Sequence, residues 1–121
     1  MQHNLWVQDC CIRLLCVFAL DRFGDYVSGD QVVVPVRETC AQVLGALCSH
    51  LNREDVLRAY DTLINFQRSD KWEVRHGSLL GLKYLVAVRV DLMEEILPSA
   101  IDFIIKGFVV NMSKRQCIND E

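Results

Sequence analysis

The run Lys71-Trp-Glu-Val-Arg-His-Gly-Ser-Leu-Leu-Gly-Leu-Lys-Tyr-Leu-Val-Ala-Val-Arg89 decides the fold. Asp70 stands where a residue can cap a helix N-terminus, and Glu73 stands where a capping-box carboxylate reaches back. Val74, Ser78, Leu79, Leu82, Leu85 and Val86 recur at steps of three and four, which sets them on one helical face. Leu80, Tyr84, Ala87 and Val88 fill much of the remainder, so other helices must cover this one on most sides. Gly77 and Gly81 each weaken a helix by about 1 kcal/mol relative to Ala. A neighbouring helix drawn close along that glycine stripe is the expected compensation.

The signal occurs twice. Val36-Arg37 precedes Val74-Arg75 by 38 residues, and at that offset Leu44 falls on Leu82 and Leu47 on Leu85. Units of about 40 residues, each two helices, mark a HEAT-type solenoid. The fold expected is therefore all-α: an α-solenoid of antiparallel helix pairs with about five helices.

Outward from the central helix, Leu5 to Phe23 reads as the first helix. Trp6, Ile12, Leu15, Cys16, Ala19 and Phe23 lie toward the core there, and Gln8, Asp9, Arg13 and Asp21 toward water. Gly24 is its natural stop. Ser28-Gly29-Asp30 are turn residues. Gln31 to Val34 favours a strand locally but has no visible partner, so a helical turn or extended lead-in is expected. Pro35 suits a first helical turn. The second helix runs from it to about Leu51, with Val36, Cys40, Val43, Leu44, Leu47 and Leu51 inward and Arg37, Glu38, Gln42 and His50 outward.

Asn52 caps a third helix to about Gln67, striped by Val56, Leu57, Tyr60, Leu63 and Ile64. Asp91 with Glu94 opens a fifth, kinked at Pro98, with Leu97, Ile101, Ile104, Ile105 and Phe108 on one face. Residues 1–110 form the repeat segment, with both end faces apolar as in an internal slice of a longer array. Residues 111–121 read as a polar, disordered tail foreign to it.

Composition narrows the function. Hydrophobic residues make up 51% and charged ones 24%, which supports a packed core. Net charge is −3, with no basic cluster longer than two residues, so the segment is not built to grip phosphates by itself. No apolar run reaches the roughly eighteen residues of a membrane span; Cys10 to Leu20 comes nearest and Arg13 interrupts it. That run also lacks a signal peptide's basic leader. The cysteines Cys10, Cys11, Cys16, Cys40, Cys48 and Cys117 form no C-x-x-C pair and read as small hydrophobes in a reducing compartment.

No phosphate-binding loop, zinc-protease helix, nucleophile elbow or dinucleotide fingerprint occurs. His3, His50 and His76 are scattered, as solvated or structural histidines are. No catalytic residue, cofactor or metal is expected, and no small-molecule substrate. An enzyme using a thiol would need a cysteine beside a base, which no local arrangement offers.

Arg37 and Arg75 stand at helix starts, where the dipole disfavours a cation. Each needs a carboxylate, either from a neighbouring turn (Asp70 for one of them) or from a partner. With Pro35, Gly77 and Gly81 they form the structural set. Trp72 is either a core anchor at a repeat corner or an exposed aromatic contact. The turn Arg68, Ser69, Asp70, Lys71 and Trp72 is the candidate partner site.

Three strings are more specific: Asp-Arg-Phe-Gly-Asp-Tyr-Val-Ser (21–28), Pro-Val-Arg-Glu-Thr-Cys-Ala-Gln-Val-Leu-Gly (35–45) and Trp-Glu-Val-Arg-His-Gly-Ser-Leu-Leu-Gly-Leu-Lys-Tyr (72–84). Over residues 5–108 the chain resembles the N-terminal HEAT-repeat region of the TATA-binding-protein-associated factors, SWI/SNF-family ATPases that remove TATA-binding protein from DNA. The resemblance implies a nuclear protein-binding scaffold whose intra-repeat turns face TATA-binding protein. It also implies DNA contact and ATP hydrolysis only through a C-terminal motor whose motifs this chain lacks. Gly29 departs from the family pattern, as does everything after Phe108. A generic HEAT adaptor with another protein partner is the alternative.

Overall fold

Pro35 and Asn52 begin helices for reasons visible in the backbone. Pro35 supplies the first helical residue without an N–H to satisfy, and the Asn52 side chain accepts from Asp55 N at 2.9 Å. The computed structural model describes residues 2–22, 25–27, 31–102 and 105–106, and side-chain burial for 5–22, 34–102, 105 and 106. Its elements are α1 (Gln2–Leu20), β1 (Asp25–Val27), β2 (Gln31–Val33), α2 (Pro35–Cys48), α3 (Arg53–Phe66) and α4 (Trp72–Val88). A 3₁₀ turn (Val90–Leu92) leads into α5, helical over 93–102.

Helices carry the fold, as expected. The expectation for Gln31 to Val34 is corrected: Gln31–Val33 is a strand, and its partner is Asp25–Val27, antiparallel with Tyr26 opposite Val32. The hairpin sits in the connection between α1 and α2 and replaces no helix. The stop expected at Gly24, the core role of Phe23 and the tail 111–121 lie outside the described residues. So do Ile104, Phe108 and Cys117.

Cross-contacts fix the helix directions. Arg37, at the start of α2, meets Glu73 at the start of α4; Gly45 meets Tyr84; the Cys48 carbonyl meets Arg89. α2 and α4 therefore run parallel, side by side. Gln8 bonds Asp55, and Tyr60 bonds the Ile96 carbonyl, so α1, α3 and α5 form a second parallel row. The rows oppose each other: Phe18, late in α1, packs on Gly77, early in α4, and Leu63 packs on Gly81. This is a two-layer stack of antiparallel pairs. The core between the layers includes Phe18, Leu44, Val56, Leu63, Leu82 and Leu85, each essentially inaccessible.

Along the glycines of α4, a Cβ at Gly77 would lie 3.1 Å from the Phe18 ring and one at Gly81 2.9 Å from a Leu63 methyl. Two faces differ from expectation. On α1 the buried residues are Val7, Cys11 and Phe18, while Trp6 and Ile12 are exposed. That helix is apolar nearly all round, and its orientation is set by Phe18 filling the space over the α4 glycines. On α2 the buried stripe is Arg37, Ala41, Leu44, Gly45 and Cys48, with Val36 and Val43 largely exposed. The rotation inserts a cation, which its partners make tolerable.

Two caps also differ. Lys71, not Asp70, is the cap residue of α4, and its N–H donates to Ser69 Oγ at 3.2 Å with no capping-box bond to Glu73. Asp91 lies in the 3₁₀ turn with its carboxylate on Arg89.

Candidate partner-binding edge

The helix directions place two connections at the same end of the stack: the hairpin segment between α1 and α2, and the turn between α3 and α4. The connections 49–52 and 89–92 fall at the opposite end, where Arg89 donates to the carbonyls of Cys48 (3.2 Å) and Leu51 (2.6 Å) and closes the C-terminus of α2.

The first end is built on Arg37, which is wholly buried. Its Nη1 donates to the Glu73 carbonyl at 2.8 Å, its Nε lies 3.5 Å from the Asp21 carboxylate, and its guanidinium carbon lies 5.2 Å from the centre of the Trp72 ring. Asp21, rather than Asp70, is the carboxylate that meets this arginine. A buried charge is tolerated only with such partners. Desolvation still draws the Arg37 pKa down, against the pull of Asp21. Arg75, also buried, donates to the Ser69 carbonyl at 2.8 Å and so shapes the turn from inside. Gln67 bonds the Arg75 carbonyl at 2.9 Å and also the Ser78 hydroxyl, which stitches the end of α3 to α4.

Of the five candidate residues, Arg68, Asp70, Lys71 and Trp72 are exposed and Ser69 is half-buried. Trp72 keeps 42% of its surface accessible, so it is neither a core anchor nor free: one side rests on Arg37 and His76, the other faces outward. The His76 ring centroid lies 6.2 Å from that of Trp72, and its Nδ1 is buried without a hydrogen-bond partner. Burial pushes the His76 pKa down, Arg37 adds to this, and Glu38 opposes it. Beyond His76, Tyr84 donates to Glu38 across the α2–α4 groove, and that bond holds the carboxyl below its usual range.

Cys11 and Cys48 are buried against each other; the contact, with burial, pushes the Cys48 thiol up, and the same contact draws the Cys11 thiol down against the effect of burial. Among the described residues no group of three or more His, Cys, Asp or Glu is placed to hold a metal ion. No described helix is long and apolar enough to cross a membrane. Residues that sequence reasoning missed are Asp21, Gly45 and His76. Gly45 had a signal, because a glycine in mid-helix asks for a packing reason. Asp21 and His76 had none beyond their charge.

No protein-family model matches the sequence. Individual relatives do. The chain is 55% identical over 106 residues, 88% of its length, to TATA-binding protein-associated factor 172 of Homo sapiens. It is 55% identical over 76% of its length to TATA-binding protein-associated factor BTAF1 of Arabidopsis thaliana. It is 39% identical over 77% of its length to TATA-binding protein-associated factor MOT1 of Saccharomyces cerevisiae. It spans only 6%, 4% and 5% of those proteins, respectively. Identity of this order along most of the described stack, in relatives from an animal, a plant and a fungus, means that the chain belongs to the TATA-binding protein-associated factor family.

Proposed function

We propose that this chain is a protein-binding scaffold segment of a nuclear transcription regulator, and that its turn 68–72 contacts TATA-binding protein. The observation that carries the reading is Trp72: a large aromatic left nearly half exposed, rigidly backed, and flanked by Lys71 and Arg68 on a turn clear of the core. Aromatic and arginine side chains held in this way dominate protein interfaces. The relatives' names supply the partner, and the stack supplies a fixed platform for it.

The segment binds without a cofactor. ATP-driven removal of TATA-binding protein from DNA, and contact with DNA, belong in this reading to a motor elsewhere in the whole protein. The test is recovery of purified TATA-binding protein on the immobilised chain, wild type against Lys71→Ala/Trp72→Ala, with helicity checked by circular dichroism. The double variant is expected to lose most of the recovered partner at unchanged helicity. Equal recovery by both would overturn the site, and no recovery by wild type would overturn the partner.

A further inference from the structure

We propose that Cys11 and Cys48 form a dithiol that hydroperoxides oxidise: Cys11, reached through the cleft between α1 and α3, takes the oxygen, Cys48 resolves it, and the disulfide clamps α1 to the end of α2. The proposal is independent of the partner proposed above.

Three observations meet at this pair. Cys11, in the middle of α1, and Cys48, the last residue of α2, are both buried, and the Cys48 thiol donates to the Cys11 sulfur. They lie 37 positions apart, so the contact joins two helices rather than neighbours in sequence. Cys11 also lines a cleft of about 160 Å³, together with Gln8, Ile12, Asp55, Arg58 and Thr62. Ile12 and Arg58 are exposed, so the cleft opens to solvent, and Cys48 is not among its walls. A molecule the size of hydrogen peroxide therefore reaches Cys11 and not Cys48.

The chemistry of the pair separates the two roles, because the thiolate is the nucleophile. The hydrogen bond from Cys48 draws the Cys11 thiol down, against burial and the Asp55 carboxylate. The same contact, with burial, holds Cys48 up. The Cys11 sulfur attacks one peroxide oxygen and the O–O bond breaks. The departing hydroxide combines with the proton that Cys11 gave up, forming water, and Cys11 is left as the sulfenic acid. That acid no longer carries the charge that raised Cys48, while Arg89 still pulls Cys48 down. The Cys48 sulfur then attacks the Cys11 sulfur, the S–O bond breaks, and hydroxide leaves with the Cys48 proton as a second water. Two thiols are oxidised and one peroxide is reduced. The S–S bond, about 2.0 Å, is shorter than any thiol–thiol contact, so α1 and α2 must draw together. Because Cys48 ends its helix, the connection 49–52 can absorb that movement.

The test uses the full chain carrying Cys10→Ser and Cys40→Ser, treated with hydrogen peroxide and digested with trypsin. In this background a disulfide between peptides 1–13 and 38–53 can only join Cys11 to Cys48. The chain is expected to lose two thiols per molecule while staying monomeric, to yield that linked pair, and to do so before the exposed Cys16 is oxidised. Oxidation of Cys16 first, or absence of the linked pair, would overturn the proposal. Cys48→Ala is expected to stop at the sulfenic acid, captured on Cys11 by a cyclic 1,3-diketone; no capture there would overturn the order of attack. Should that variant fail to fold, the probe is added during oxidation of the parent chain, where label on Cys48 instead of Cys11 would overturn it equally. The oxidised chain is expected to unfold at a higher urea concentration, reversed by dithiothreitol. An unchanged or lower midpoint would overturn the clamp.

Discussion

Gly45→Ala tests the packing of α2 on α4 at its tightest point. An added Cβ would sit 2.8 Å from Tyr84 Cβ, 3.2 Å from the Tyr84 carbonyl oxygen and 3.3 Å from its carbonyl carbon. Carbon atoms pack best at about 3.5–4.0 Å, so α2 and α4 would have to separate by roughly 1 Å or tilt. The obstacle is backbone and a Cβ, so no rotamer change relieves it. Overpacking of this kind costs about 1–3 kcal/mol, and the gain in helix propensity returns about 1 kcal/mol. The expected net loss is about 0–2 kcal/mol, the difference of these two effects, and the unyielding backbone obstacle puts Gly45→Ala toward the upper end. Gly81→Ala supplies the internal control. It presents a similar overlap at 2.9 Å, but against a Leu63 methyl that can move. Urea unfolding followed by circular dichroism measures both. Gly45→Ala should lower the midpoint clearly, and Gly81→Ala should fall much less or not at all. The reasoning fails if Gly45→Ala is as stable as wild type, or if Gly81→Ala is the worse of the two.

Further outcomes follow from the caps and buried groups. Asn52→Ala should cost about 1 kcal/mol through loss of the α3 cap, while Asp70→Ala leaves the unfolding midpoint unchanged; a large effect of Asp70→Ala would return the α4 cap to it. Arg89→Ala should cost about 1–3 kcal/mol by stripping a charged donor from two carbonyls, read from the same urea curves and contradicted by an unchanged midpoint. His76 has a folded pKa pushed below its unfolded value near 6.5. Above about pH 7 the ring is neutral in both states and contributes no slope; as pH falls from about 6.5 the unfolded chain takes up the proton first, and stability declines. His76→Gln should flatten that decline between about pH 6.5 and 5, and parallel curves for the two proteins would refute the assignment.

Helix positions were legible in the sequence because Pro35 and Asn52 are local signals, and α3 and α4 each have one dominant apolar stripe. The facing of α1 and α2 was not. Both carry two apolar stripes, and only the tertiary fit of Phe18 over Gly77 and Gly81, and of Arg37 against Asp21 and Trp72, selects between them. A charge reads as exposed until its partners are known, and the partners of Arg37 lie 16 residues before it and 35 and 36 after it. The hairpin was half legible: three valines announced β2, but Asp25–Val27, though it holds the strand-favouring Tyr26 and Val27, is too short a run to announce its mate. At the candidate edge, the turn 68–72 was chosen from its place between two helices. That Trp72 lies on a buried cation was not readable, because Arg37 comes from a different repeat.

The most direct test of the account is the amide-exchange footprint of purified TATA-binding protein on the chain. The account predicts slowed exchange in 67–72, with the connections 49–52 and 89–92 at the other end of the stack unaffected. Protection confined to 49–52 and 89–92, or no protection anywhere at saturating partner, would contradict it.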